Sequence, residues 1–325
     1  MSQQPSRAAS LSLATLRLEQ RGRVLLTRVD APPHNLMTGA VQADFGALAV
    51  AVDADPTVGA VVVTGAPADR YLLHFDITDY LAGAEAAPTM SRTAIKALLR
   101  TAKTAVAAGA EGALAKSPLA GMLTLIGFHQ TALRIMESPA VWIAAVNGLC
   151  AGAGMELTTY FDLRFAAESA SFVMPEFSIG LNPGLGGQRL AQLLGPSKAL
   201  ELMLEARRYS ATEALELGLV NHVFADAELL EQVEELAARY ARRPRVNVAA
   251  QKHIFAAAYS DSHSTGLTEE GVAQISSIMS PVTLGALRRW VQMQDGDDSV
   301  FLTAPETWIA GTELDMNPAD AKSKS

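Results

Sequence analysis

The sequence has little of several things that would define a class at once. It holds a single cysteine, Cys150, in 325 residues. No disulfide can therefore close within the chain, and a reducing compartment, the cytoplasm, is the expectation. Cys150 lies beside a predicted strand end and reads as a small buried thiol more than a reactive one. Positive charge is also scarce: 26 Lys and Arg against 34 Asp and Glu leave a net charge of −8. A general nucleic-acid surface needs a basic face, so none is expected, and a phosphate-bearing ligand would require a local basic cluster. No apolar run reaches the roughly 18 residues of a spanning helix, so no membrane partner is expected. The opening MSQQPSRAASLSL lacks the charged-then-apolar order of a secretion signal, and residues 1–10 are expected to form a flexible tail. The six histidines (34, 74, 129, 222, 253, 263) show no metal-ligand spacing, and there is no P-loop or dinucleotide fingerprint.

What the chain does have is a hydrophobic fraction of 49%, ample for a core. It also has one dense stretch, Ala145 to Leu190. An apolar strand (VWIAAV) ends at Asn147-Gly148, and a turn rich in glycine (Gly148, Gly152, Gly154) feeds a predicted helix carrying Glu156. A second apolar strand follows, then Pro175-Glu176, then a glycine-rich turn from Asn182 to Gly187 that opens another helix. A strand that stops at a glycine turn and enters a helix leaves backbone N–H groups unpaired, suited to an anion or to an oxygen becoming one. Small residues there let a ligand approach the backbone. Glu156 and Glu176 have apolar neighbours, and carboxyls in such surroundings hold protons more tightly, so a pair can divide acid and base roles. A solvated or ion-paired glutamate is the alternative at each position.

The stretch resembles the signature of the crotonase family, also called the enoyl-CoA hydratase/isomerase family. The shared elements are AAVNG, the small-residue turn, Glu156-Leu157, Asp162-Leu163-Arg164-Phe165-Ala166, Phe172 with Pro175-Glu176, and Gly180-Leu181-Asn182-Pro183-Gly184 through Gly187 to Arg189-Leu190. The likeness continues through Gly195–Ala199, Ser210–Ala214 and Gly218–Val223, and upstream more weakly from Leu16 to Asp76. The fold it implies is α/β, a crotonase-like spiral of repeated ββα units with a C-terminal helical region. The expected organisation is a tail (1–10), a core (11–244) with an inserted helical segment at about 82–122, a helical oligomerisation region (245–294) and an extended tail (295–325).

Along the chain, Ser12–Leu18 and Arg23–Val29 are predicted strands of a hairpin turning at Gln20-Arg21-Gly22. Pro32-Pro33 breaks the chain before Asn35. The family has a similar turn on the coenzyme A path, while a plain turn is the simpler alternative. A helix is predicted from Thr38, its N-cap, to Asp53, and a buried strand over Gly59–Thr64. In the segment at 82–122, Ser91 is expected to cap a helix to about Ala108. On it Arg92, Lys96, Arg100 and Lys103 share one face, either solvated or meeting ligand phosphates or another subunit. Gly109–Pro118 reads as a loop and Leu123–Glu137 as a helix in which His129 is packed or solvated. After Leu190, helices are predicted over Ser197–Glu205, Ala211–Leu217 and Asp226–Arg242, with a strand at Val220–Phe224. Beyond Pro244, Asn247–Tyr259, Thr268–Met279 and Val282–Gln294 read as helices.

The resemblance implies an acyl-CoA thioester substrate, with coenzyme A entering as part of it and no separate cofactor. It implies an oxyanion hole of two backbone N–H groups, those of Phe75 and Ala153. The family usually has Gly-Ala-Asp where this chain reads His74-Phe75-Asp76, so His74 is either an added acid/base group or a packing residue. Glu156 and Glu176 are the implied catalytic pair for adding water to a 2-enoyl-CoA. His74, Asp76, Asn35, Gly152 and Gly184 are the implied substrate-binding positions. The implied assembly is a homotrimer or a dimer of trimers, and the implied setting lipid metabolism. Alternatives are an isomerase using one Glu, a hydrolase or retro-Claisen enzyme to which His74 contributes, and a non-catalytic acyl-CoA-binding subunit.

Overall fold

The structure is a computed structural model that describes residues 7–75, 91–116, 121–179 and 181–257. The expected helices Thr268–Met279 and Val282–Gln294, the 295–325 tail, and Asp76 lie outside the described residues.

Six strands form the main sheet in the order β1-β2-β3-β4-β6-β9. β1 (Leu16–Arg21) and β2 (Val24–Val29) are the antiparallel hairpin, in register Leu16 to Val29. The turn lies at Gly22-Arg23, and β1 starts later than its alternating pattern suggested, because Thr15 is held outside the strand by Asp44. From β2 onward every pairing in this sheet is parallel: β3 (Ala60–Gly65), β4 (Val141–Val146), β6 (Leu163–Ala167) and β9 (His222–Phe224). A parallel sheet is covered on both faces, which is why β3 (AVVVTG) is apolar without alternation and wholly buried.

A second sheet holds β5 (Leu149–Ala151), β7 (Ser171–Val173) and β8 (Tyr209–Ser210). The chain alternates between the two: β4 to β5, β6 to β7, then β8 to β9. An isolated parallel bridge, Arg70 to Leu149, adds the preceding turn to the same edge. Two sheets filled one strand each per turn are the spiral of ββα units that the sequence suggested.

Helix α1 (Gly39–Ala54) is capped by the Thr38 side chain, which accepts from the Val41 N–H. Helix α2 (Arg92–Ala107) is capped by Ser91, which accepts from Ala94. The expected loop after it contains a short helix, α3 (Glu111–Leu114), because Ala110 accepts the N–H groups of Ala113 and Leu114. Helix α4 (Gly121–Glu137) follows. Ala102, Val106 and Leu114 pack with Ile126 of α4 as a small cluster separate from the main core. Helices α5 (Ala153–Thr158), α6 (Gly187–Leu194), α7 (Pro196–Glu205), α8 (Ala211–Leu217, with a Ser210–Glu213 capping box), α9 (Leu229–Tyr240) and α10 (Arg245–Ala257) complete the order. The main core holds Trp142, Tyr71, Phe45, Phe128, Phe161, Phe165 and Phe172, all fully buried.

One expectation is corrected near the start. Residues 7–10 are not a loose tail: Ala8 is fully buried and donates its N–H to Asp55 Oδ2 at 2.9 Å. A buried carboxylate oxygen needs a donor, and the chain before β1 supplies it.

Candidate active site

The site forms where three segments cross. The first is 71–75, which leaves β3 and runs beside the start of α5. Ala151 donates to Leu72 O at 3.1 Å, and Gly154 donates to Leu73 O at 3.0 Å. Asn35 anchors the far side. Its Oδ1 accepts from Ala31, its Nδ2 donates to Val29 O and Tyr71 O, and its carbonyl accepts from Leu73 at 2.9 Å. The Asn35 side chain, 1% exposed, is therefore occupied in holding the 71–75 segment. Sequence reasoning had offered it as a ligand contact or a plain turn residue. The Met37 N–H donates to His74 O at 3.0 Å, fixing the last residues of the segment. Phe75 and Ala153 thus lie on adjacent segments joined by hydrogen bonds. Ala153 is the first residue of α5, where a helix has no internal acceptor for its N–H.

The second segment is α5. Its N-cap Gly152 has φ +49°, a conformation that side chains disfavour. The space is also closed: an added Cβ would lie 2.7 Å from Glu176 Oε1 and 2.8 Å from His74 Cβ. Glu156 sits one turn in, only 1% exposed. The third segment is the turn after Glu176, which opens a 3-10 turn (Glu176–Ile179) and leads to Gly184–Gly187. Leu185 donates its N–H to Glu156 Oε2 at 2.5 Å. Gly186 has φ +81°, and a Cβ there would lie 2.9 Å from Glu156 Cα. Each glutamate is therefore framed by one glycine, Glu176 by Gly152 and Glu156 by Gly186.

The two carboxyls, 20 residues apart in sequence, meet. Burial and then the negative charge of Glu176 push the Glu156 carboxyl up to about 8, against the opposing pull of the Leu185 N–H. Glu176 is also raised, chiefly by burial, with His74 opposing. Its Oε2 is buried without a hydrogen-bond partner among the described residues. A buried carboxyl oxygen of this kind calls for a donor. Two adjoining carboxyls whose proton affinity is raised are suited to giving and taking protons.

His74 is half-buried, and its Nδ1 lies 2.7 Å from Phe75 O. A carbonyl only accepts, so Nδ1 carries the proton of that bond. Phe75 meets Phe128 of α4 edge to face, with centroids 5.5 Å apart. Cys150 is fully buried, and burial pushes its thiol up to about 12, as the inert reading expected. Among the described residues no group of three or more His, Cys, Asp or Glu could hold a metal ion, and no helix is long and apolar enough to cross a membrane.

Sequence reasoning missed His129. Its Nε2 lies 2.8 Å from Gly184 O, the carbonyl of the peptide whose N–H binds Glu156. Nothing local marks this contact, since the two residues are 55 positions apart.

Residues 123–280 match the model of the family described as enoyl-CoA hydratase/isomerase. Similar proteins include a crotonyl-CoA hydratase of Syntrophomonas wolfei, 42% identical over 121 residues (37% of this chain, 46% of that one). A carnitinyl-CoA dehydratase of Salmonella typhi is 37% identical over 159 residues (49% of this chain, 56% of that one). The chain thus spans about half the length of the curated relatives it matches. Among solved structures, an enoyl-CoA hydratase from Bacillus anthracis superposes with TM-score 0.70 at 23% identity, covering 86% of this chain and 97% of that one. A Thermobifida fusca protein solved in complex with CoA gives TM-score 0.64 at 27% identity, covering 83% and 93%. The fold is the crotonase fold, and over residues 123–280, just under half of its length, the chain is similar to the enoyl-CoA hydratase/isomerase family.

Proposed function

We propose that this chain is a lyase of the hydratase type, adding water across the α,β double bond of a 2-enoyl-CoA thioester. The observation that carries this reading is the meeting of Glu156 and Glu176, two buried carboxyls with raised proton affinity, beside the start of α5. The thioester oxygen sits between the N–H groups of Phe75 and Ala153. Charge moves onto that oxygen as the enolate forms, and fixed donors stabilise it; removing one such donor costs about 2.7–4 kcal/mol of barrier in enzymes of this kind of chemistry. Water lies between the glutamates. The ionised carboxyl takes its proton as the oxygen bonds to Cβ, and the protonated one delivers a proton to Cα, giving the 3-hydroxyacyl thioester. The pair ends with its proton exchanged and no net charge change. Two partners give and take within one site.

Coenzyme A arrives as part of the substrate, so the reaction calls for no further cofactor. Its phosphates meet the exposed Lys96, Arg100 and Lys103 on α2, in an otherwise acidic chain. The assembly is a homotrimer or a dimer of trimers and works in the cytoplasm. The relatives named as a hydratase and a dehydratase of CoA thioesters support the reaction class. The test is a spectrophotometric screen of the purified protein against 2-enoyl-CoA esters of graded length. Loss of the conjugated thioester absorbance with formation of the 3-hydroxyacyl product supports hydration. Migration of the double bond with no hydroxy product overturns it in favour of an isomerase.

A further inference from the structure

We infer that His129 is a positioning residue for Glu156, acting through the single peptide group that joins Gly184 to Leu185. The two ends of that peptide are both engaged. Its carbonyl oxygen lies 2.8 Å from His129 Nε2, and its N–H donates to Glu156 Oε2 at 2.5 Å. A carbonyl oxygen only accepts, so Nε2 carries a proton and is the donor. Accepting a hydrogen bond at C=O draws electron density along the amide and makes its N–H a better donor, so the two bonds strengthen each other. The chain of groups is therefore His129 Nε2–H to Gly184 O, then Leu185 N–H to the Glu156 carboxyl. A stronger donor at that carboxyl favours its ionised form.

The place of His129 in the fold supports this. Phe128, the preceding residue of α4, is fully buried and packs edge-on against Phe75. One helix thus touches the 71–75 segment with one residue and the Gly184–Leu185 peptide with the next. Its N-terminal half is held by the cluster of Ala102, Val106, Leu114 and Ile126. Helices α2 and α3 therefore buttress the helix that spans both sides of the site. The ionisable groups that face the pair are Glu176 and Tyr160 around Glu156, and His74 beside Glu176. Among the described residues, the group hydrogen-bonded to the outer end of the Gly184–Leu185 peptide is His129.

The catalytic consequence rests on the hydratase reading, while the positioning itself does not, and the test separates them. Two variants are compared with the parent: His129→Gln, whose side-chain amide can still donate, and His129→Leu, which cannot. The Glu156 titration midpoint is read by carboxyl carbon NMR of the glutamate-labelled protein, and the Leu185 amide proton shift by amide NMR. Both signals come only from folded molecules. The expected result for His129→Leu is an upfield Leu185 amide proton and a raised Glu156 midpoint, with His129→Gln close to the parent on both. On an enoyl-CoA substrate, His129→Leu should lower kcat on the order of tenfold with KM little changed, and His129→Gln should restore most of it. Unchanged Leu185 shift and Glu156 midpoint in His129→Leu overturn the inference. If those two signals move as expected while Glu156→Gln keeps full turnover, the relay stands and the hydratase reading falls.

Discussion

A side chain at Gly152 would put its Cβ 2.7 Å from Glu176 Oε1. The glycine that starts α5 and the second carboxyl of the site therefore compete for one place. Gly152→Ala must move Glu176, and it also meets His74 Cβ at 2.8 Å in a backbone conformation with φ +49°. The expected cost is about 1–3 kcal/mol of stability from the strained backbone. The displaced carboxyl should lower kcat by about 10²-fold. Denaturant unfolding and steady-state kinetics on one preparation check both, and a variant with parental kcat would show that Glu176 does not need its place.

Glu156→Gln and Glu176→Gln each remove one partner of the proton exchange. Each should cut hydration of a 2-enoyl-CoA by at least about 10²-fold, since a single general acid or base contributes about 10²–10⁴. The double variant should lose little more than either single one, because the two act as a unit. Normal turnover in either single variant would discard the two-carboxylate mechanism. An isomerase would instead keep activity in one of them.

The raised carboxyl of Glu156 makes stability depend on pH with a definite sign. The folded chain holds a proton on Glu156 up to about 8, whereas the unfolded chain releases it near the ordinary carboxylate value of 4.5. Between those values the folded state binds more protons than the unfolded one, so unfolding free energy falls as pH rises through the window. The loss is complete above about 8 and absent below 4.5. Glu156→Gln removes it and should flatten the profile between pH 5 and 8 by on the order of a few kcal/mol. Melting curves of both proteins across that range decide the matter, and parallel profiles would refute the assignment.

Lys252 of α10 is a buried cation. It donates to Ile135 O at 3.0 Å, Ala140 O at 3.2 Å and Asp162 Oδ2 at 2.8 Å, and the same Asp162 oxygen accepts the Trp142 N–H at 2.7 Å. Burial pushes Lys252 down and Asp162 up, and each opposes the shift of the other. Lys252→Met should cost about 1–3 kcal/mol, because it takes the cation from the half-buried Asp162 carboxylate and leaves the Ile135 and Ala140 carbonyls without their donor. Adding Asp162→Asn should recover part of that loss. Equal stability of the two variants would show that the charge at Asp162 carries no penalty.

Replacing Lys96, Arg100 and Lys103 of α2 with alanine tests whether this exposed face meets phosphate. Coenzyme A affinity should fall and become less sensitive to salt, as expected when screened charge pairs are lost. Unchanged affinity in calorimetry at two salt concentrations would leave the face as plain solvated surface.

Local chemistry was legible in the sequence wherever a few neighbouring residues decide the outcome. Thr38 and Ser91 mark helix starts because a side-chain oxygen reaches an N–H three residues on. The apolar runs GAVVVT and VWIAAV read as buried strands because a parallel sheet hides both faces, and the first of them forms one residue later, at Ala60–Gly65. The start of β1 was placed too early, since Asp44 from another element takes Thr15. The packing of Ala8 was missed for the same reason, as its partner Asp55 is 47 residues away.

The sequence by itself determined the residue types at the site, the glycine spacing around Glu156 and Glu176, and the alternation of strands and helices. Periodicity, capping and backbone freedom are properties of short segments, and they survive without a fold. The tertiary structure alone decided that the two carboxyls share a space, that Asn35 clamps the 71–75 segment, and that His129 reaches the peptide holding Glu156. Those facts depend on contacts between residues 20, 36 and 55 or more positions apart. Proton affinity follows from burial and from the charge next door, and neither exists until the chain has closed around the site.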